Sequence, residues 1–143
     1  MTTTKALPSG WVNACVADIS SLNPKTHADD QTSCGFASMH GLGTTFRGSL
    51  QFEVRSWDTV KKAYTHFQNH DVLVAKVTPC FENGKAGVAR GLPNGIGAGS
   101  SEFMVLRPAA GIDSRYLLAW LSSQDFRRRA TVAMTGSVGL KRV

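Results

Sequence analysis

Apolar and polar positions divide the chain into a strand-forming first two thirds and a helix-forming remainder. Residues 72–77, VLVAKV, are a short run rich in β-branched side chains, bounded by Gln68-Asn69-His70-Asp71 and by Pro79, and read as a largely buried strand. With a side-chain period of two, Lys76 shares a face with Val72 and Val74, so this strand carries an ammonium to its exit end, followed on that face by Thr78. Such a lysine must reach water along its stem or meet an anion. Glu82-Asn83-Gly84-Lys85 follows, an Asn-Gly turn signal with a charge on either flank.

Upstream, Leu7-Pro8-Ser9-Gly10 is a turn delivering Trp11, expected as a core anchor, into an apolar segment (11–19) that reads as a strand leading into a brief helical turn. Residues 20–40 are rich in Ser, Thr, Asn, Asp and Gly and predict loop with short strands. Residues 50–55 alternate as a half-exposed strand with Gln51, Glu53 and Arg55 on its polar face. Residues 57–63 fit a short helix with Trp57 and Val60 inward and Lys61 and Lys62 solvated, and 64–67 and 86–89 have strand composition. Between Gly91 and Ser101 glycine recurs, and the segment reads as a loop whose backbone closely approaches either another strand or a sugar-phosphate backbone. It leads into a strand at 102–107. Asp113 or Ser114 then caps a helix with Tyr116, Leu117, Trp120 and Leu121 expected on its core face, and Ser122 or Ser123 caps a second with Phe126, Ala130 and Ala133 on one side.

Charge adds a direction. The net charge of the 143 residues is +6, yet residues 1–45 sum to −1, with Lys5 and Lys25 against Asp18, Asp29 and Asp30, which leaves +7 for the remainder. This asymmetry points to a polyanionic partner, with a merely basic soluble domain as the alternative. Cys15, Cys34 and Cys80 are odd in number and lack a C-x-x-C pair, which suggests reduced thiols in a cytoplasmic protein rather than a disulfide framework or zinc ribbon. His27, Cys34 and His40 match no metal-ligand spacing. No apolar run approaches the length that spans a bilayer.

Catalytic signatures are missing where they would be sought. No Ser, Cys or His stands in a nucleophile context, and the Asp/Asn-Pro-Pro-aromatic motif of amino-methyltransferases is absent. Neither phosphate-cradling glycine motif fits, because Gly95, Gly97 and Gly99 alternate and lead to a strand, and Pro79 stands where the Walker pattern requires glycine before Gly84-Lys85. A metal nuclease would pair Asp71 with a Glu one residue before a Lys, whereas Glu82 and Lys85 are three apart.

The block DVLVAKVTPCFENGK, followed by NGIGAGSSEFMVLRP and MTGSVGLKRV and preceded by LPSGW, resembles the target recognition domain of the DNA specificity subunit of type I restriction-modification systems. The motifs occur in the family's order across nearly the whole chain, and the segment between Gly35 and Phe52 departs most. The resemblance implies a non-catalytic domain that binds one part of a split double-stranded DNA site and places partner methyltransferase and restriction subunits over it. S-adenosylmethionine, ATP and magnesium would belong to those partners. A full subunit would carry two such domains joined by long helices, so residues 1–143 are expected to form a single domain, with the spacer helices and second domain absent. The expected fold is α+β, with a mixed, curved β-sheet and two helices near the C-terminus. Phosphate contacts are expected from Lys76, Lys85, Arg90 and the backbone of Gly97, Gly99, Ser100 and Ser101, with Lys141 and Arg142 further candidates. Base reading is expected from Arg47, Thr78, Glu82 and Asn83, since Arg pairs with guanine, Asn with adenine, and Glu accepts from cytosine. The alternative for Glu82, Asn83 and Lys85 is an internal hydrogen-bonded turn. A stand-alone DNA- or protein-binding regulator and a metal-dependent nuclease are the competing functions.

Overall fold

The structure, a computed structural model, describes residues 5–44, 48–137 and 140–143. Along the chain run α1 (Val16–Ile19), β1 (Ser20–Leu22), β2 (Ser33–Ala37), β3 (Glu53–Ser56), α2 (Trp57–Val60), β4 (Thr65–Gln68) and β5 (Val72–Ala75). They are followed by β6 (Ala86–Val88), β7 (Ile96–Gly99), β8 (Phe103–Pro108), α3 (Ser114–Leu121), α4 (Gln124–Ala133), β9 (Thr135–Ser137) and β10 (Leu140–Arg142).

The fold is α+β, as expected, but the strands form two four-stranded sheets rather than one. The first has the order β1-β8-β5-β6 and is antiparallel throughout. The second, β3-β2-β7-β4, is mixed, its one parallel pair being β2 with β7. Strand β5 explains the arrangement. Its four residues are all buried: Val72 and Val74 face Leu117, Leu118 and Leu121 of α3, while Leu73 and Ala75 face Phe67 and Ala37 of the second sheet. A strand covered on both faces needs a continuous apolar run, and VLVA supplies it. On the far side of the second sheet, Trp57 and Val60 of α2 pack on Cys34 and Ala98.

The glycine-rich segment is not an open loop. Residues 96–99 are the central strand β7, and its glycines admit aromatic rings: a Cβ at Gly97 would stand 2.5 Å from Phe67, and one at Gly99 would stand 2.7 Å from Phe103 and 2.3 Å from the Ala37 carbonyl oxygen. The period-two spacing of Gly97 and Gly99 is therefore a strand signal, while Gly95 closes the turn before the strand at φ +72°.

Other expectations also give way. Trp11 is 66% exposed and anchors no core, while Tyr116 and Trp120 face outward, the core stripe of α3 being Leu117, Leu118 and Leu121. Val54, on the presumed apolar face of β3, is exposed, as is Ala133 at the end of α4. Both helix caps are as read: the Asp113 side chain accepts from Arg115 N, and that of Ser123 from Phe126 N. The strands β9 and β10 form an antiparallel pair that hydrophobic patterning did not foretell.

Candidate nucleic-acid interface

At the exit end of β5 the backbone stays extended and is taken up by the last strand. Lys76 N donates to the Glu102 carbonyl (3.0 Å), Thr78 N donates to the Lys141 carbonyl (2.8 Å), and Val143 N donates to the Lys76 carbonyl (2.9 Å). Between them, Val77 bridges to Arg142. The Arg142 guanidinium grips the Glu102 carboxylate through Nε (3.0 Å) and Nη2 (2.6 Å). These hydrogen bonds hold the Glu102 carboxyl below its usual range against the cost of partial burial, and the charges of Arg142 and Lys76 add to the effect. Glu102 is thus held by Arg142, and the half-buried Lys76 acts on it only through its charge, with no ion pair between the two among the described residues.

Residues 78–84 then wind into a compact turn. Phe81 N donates to Val77 O (2.9 Å), Asn83 N to Pro79 O (3.0 Å), Gly84 N to Phe81 O (3.0 Å) and Lys85 N to Cys80 O (3.1 Å). Phe81 anchors the turn in the core beneath α3, and Gly84, at φ +79°, lets it close in the left-handed region. Thr78 Oγ1 donates to Glu82 Oε1 (2.8 Å), so part of the Glu82 carboxylate is held inside the turn. The Glu82 and Asn83 side chains are exposed. Lys85 Nζ donates to the Met39 carbonyl (3.2 Å), and Ala86 N to the Gly43 carbonyl (3.1 Å), which ties the segment before Arg47 to this end of β5. From α4, Arg127 Nη2 donates to the carbonyls of Phe81 (3.2 Å) and Glu82. A cavity of about 170 Å³ remains between the turn, Thr44 and the α3–α4 junction, with Lys85 and Arg127 in its wall.

The structure therefore gathers Lys76, Thr78, Glu82, Asn83, Lys85, Lys141 and Arg142 at one end of β5. Ser100 and Ser101 join them from the β7–β8 turn, where Ser100 Oγ accepts from Glu102 N (3.1 Å) and Ser101 is exposed. Internal bonds engage Arg142, Lys85 and the Thr78–Glu82 pair, the turn-forming alternative weighed from the sequence; Lys85 retains two further N–H donors. Three expected residues fall elsewhere. Gly97 and Gly99 are buried inside a sheet, where their backbone serves strand pairing. Arg90 lies beside His70–Asp71 at the entry end of β5, about 16 Å away along the strand. There it faces Asp113, whose carboxyl is drawn down to about 2, chiefly by the Arg115 side chain and backbone N–H, with a smaller contribution from Arg90. Arg47 lies outside the described residues.

Sequence reading missed two members of this group, Glu102 and Arg127. Glu102 was legible as the acid nearest the glycine-rich segment. Arg127 was legible from helix phase, since it lies three residues before the buried Ala130, whereas Arg128 and Arg129 turn to Asp125 (3.4 and 2.8 Å). Asp71, the acid considered for a nuclease, is buried and held bidentately by Arg107 (2.9 and 2.8 Å) far from Glu82. Cys34 is buried in the core with Sγ donating to the Arg55 carbonyl (3.3 Å), and burial raises its thiol pKa. Among the described residues no helix is long and apolar enough to cross a membrane.

The exit of β5 is finished by a turn, a serine-bearing loop and a terminal strand that together leave Glu82, Asn83, Ser101 and Lys141 exposed. Comparison with known proteins gives the chain its relatives. No family model matches the chain. It is 46% identical over 139 residues to the Escherichia coli type I restriction enzyme EcoAI specificity subunit, covering 96% of this chain and 24% of that protein. It is 40% identical over 139 residues to the EcoEI specificity subunit of the same organism, covering 96% and 23%. The chain is thus homologous, over nearly its whole length, to type I restriction enzyme specificity subunits, and spans about a quarter of these relatives. A solved chain from a structural study of type I restriction-modification assembly and conformational transition superimposes with a TM-score of 0.72 at 16% identity, covering 96% of this chain and 36% of that one. The HsdS subunit from Thermoanaerobacter tengcongensis gives 0.55 at 14% identity, covering 91% and 37%. At such identities the likeness is one of fold.

Proposed function

We propose that this chain is a target recognition domain of a type I specificity subunit, reading one part of a bipartite double-stranded DNA site and directing partner methyltransferase and restriction subunits to it. The observation that carries the reading is 40–46% identity to specificity subunits spread over 96% of the chain. The exit end of β5 supports it physically. Lys76 and Lys141 supply cations for phosphates, while Glu82 and Asn83 are exposed side chains of the types that read cytosine and adenine edges. In this proposal the domain supplies no catalytic group, works in the cytoplasm, and leaves S-adenosylmethionine, ATP and magnesium to the partner subunits.

The test is duplex binding as a function of salt. Affinity should fall linearly on a log–log scale, and Lys76→Ala should lower the slope by about 0.9 while weakening all sequences alike. Affinity that stays flat with salt would sink the DNA reading. Magnesium-dependent cleavage of the duplex by this chain would sink the non-catalytic one.

A further inference from the structure

We infer that Arg127 is a positioning residue for sequence reading: its guanidinium fixes the 78–84 turn that displays Glu82 and Asn83. This inference rests on the proposed function. Three observations carry it. First, Nη2 of Arg127 donates to two successive main-chain carbonyls, those of Phe81 and Glu82. Second, the guanidinium lies against the glycine that closes the turn, so that a Cβ on Gly84 would stand 3.0 Å from Nη1 and 3.3 Å from Cζ. Third, its neighbours are engaged otherwise, Arg128 and Arg129 pairing with Asp125, while among the described residues Arg127 makes no ion pair with a carboxylate.

The physical consequence is a cation set on carbonyl oxygens at the closing end of a helical turn, where the aligned peptide dipoles leave negative potential. Both bonds leave one nitrogen, Nη2, while Nη1 and Cζ of the planar group lie against Gly84; a lysine ammonium, a compact point charge on a shorter side chain, lacks that plane and cannot both cover Gly84 and reach the two carbonyls. The turn is thereby held at three places: the Phe81 ring in the core, Arg127 on its carbonyls, and Thr78 on one oxygen of Glu82. Apart from the Thr78 bond to Glu82, the directions of Glu82 and Asn83 are set by this backbone. Arg127 thus acts on the bases through them, without touching DNA.

The test compares the wild-type chain with Arg127→Lys, Arg127→Gln and Gly84→Ala. A preferred sequence is first selected from random duplexes with the wild type. Affinity for that duplex and for a scrambled one is then measured across salt. Arg127→Lys and Gly84→Ala should each reduce the preference about tenfold, the scale of one lost bidentate contact, and at the same base positions. Scrambled-duplex affinity and salt slope should stay within twofold. Full retention of preference by Arg127→Lys overturns the inference, as does a loss uniform over sequences with a slope lower by about 0.9, which marks a phosphate ligand. An unchanged preference with only a lowered melting temperature also overturns it. A DNA-independent arm separates its failure from that of the proposed function: hydrogen exchange at the Gly84 and Lys85 amides, bonded within the turn, should speed up in Arg127→Gln. Unchanged protection refutes the positioning role whatever the DNA result, whereas a wild type that selects no sequence while its turn loosens as expected refutes the DNA reading itself.

Discussion

Replacing Asp71 tests the frame on which the interface stands. Its side chain, 1% exposed, accepts two hydrogen bonds from Arg107 and one from Gln68 N (2.8 Å), closing the turn that starts β5. Asp71→Ala abandons the guanidinium and the amide together, a change that costs about 3–5 kcal/mol for a buried pair. Arg107 keeps 29% of its side chain exposed, so water takes over part of its hydration and the cost falls near the lower end, about 3 kcal/mol. With an unfolding entropy of about 2.1 cal/mol/K per residue over 143 residues, roughly 0.3 kcal/mol/K, the melting temperature should drop by roughly 10 °C. Asp71→Asn, which keeps an acceptor for Gln68 N, should drop it less. Combining Asp71→Ala with Arg107→Met should recover part of the loss, because the abandoned charge is gone. Thermal unfolding followed by circular dichroism at neutral pH measures all three. A fall of under about 3 °C for Asp71→Ala, or a double variant no better than the single, would refute the reasoning.

Two further outcomes follow from the packing. Gly99→Ala drives a methyl to within 2.3 Å of a backbone oxygen that cannot swing away, and should cost about 1–3 kcal/mol or more, seen as a lower urea midpoint at unchanged slope. Gly43→Ala, with nothing within 4 Å of its Cβ, should leave the midpoint in place. His66 is buried, with Nδ1 accepting from Thr26 N (3.2 Å) and Nε2 bonded to the Lys61 carbonyl (2.8 Å). Burial pushes its pKa below the ordinary 6.5 against the Lys61 hydrogen bond, with the charges of Lys25 and His27 pushing the same way as burial. Below 6.5 the unfolded chain binds the proton first, so His66 contributes stability that is complete above 6.5 and is lost as pH falls through the folded-state pKa. The melting temperature should decline as pH falls below 6.5, and His66→Gln should flatten that decline.

Local pattern revealed the elements whose burial is simple. Trp57 and Val60 point inward as their spacing requires, Asp113 and Ser123 cap their helices, and the VLVA run is a strand covered on both faces. What stayed hidden depends on partners distant in sequence. Whether glycines alternate because a loop must be supple or because Phe67 and Phe103 need room is decided across the sheet stack, not within residues 95–99. Tyr116 and Leu117 are equivalent to a helical pattern, and only the position of β5 selects Leu117, Leu118 and Leu121 for the core. For the interface, the charged turn at the strand end was legible as a unit. Arg90 was separated from it because β6 runs antiparallel to β5 and carries the residue back to the other end. The pairing of Arg142 with Glu102 was hidden because the two lie 40 residues apart.

The pairing of residues 76–78 with the last strand bears on how the protein reaches its active form. Val77 and Arg142 are bridged across 65 positions, a separation that places this closure among the slowest kinds of contact to form. The β5–β8 and β5–β6 ladders join residues far nearer in sequence, whereas the β1–β8 and β2–β7 pairs span 84–88 and 62 positions. Closing the 78–84 turn against the last strand therefore carries a loop-closure cost of the same order as completing either sheet, and it depends on contacts that local structure alone does not bring together.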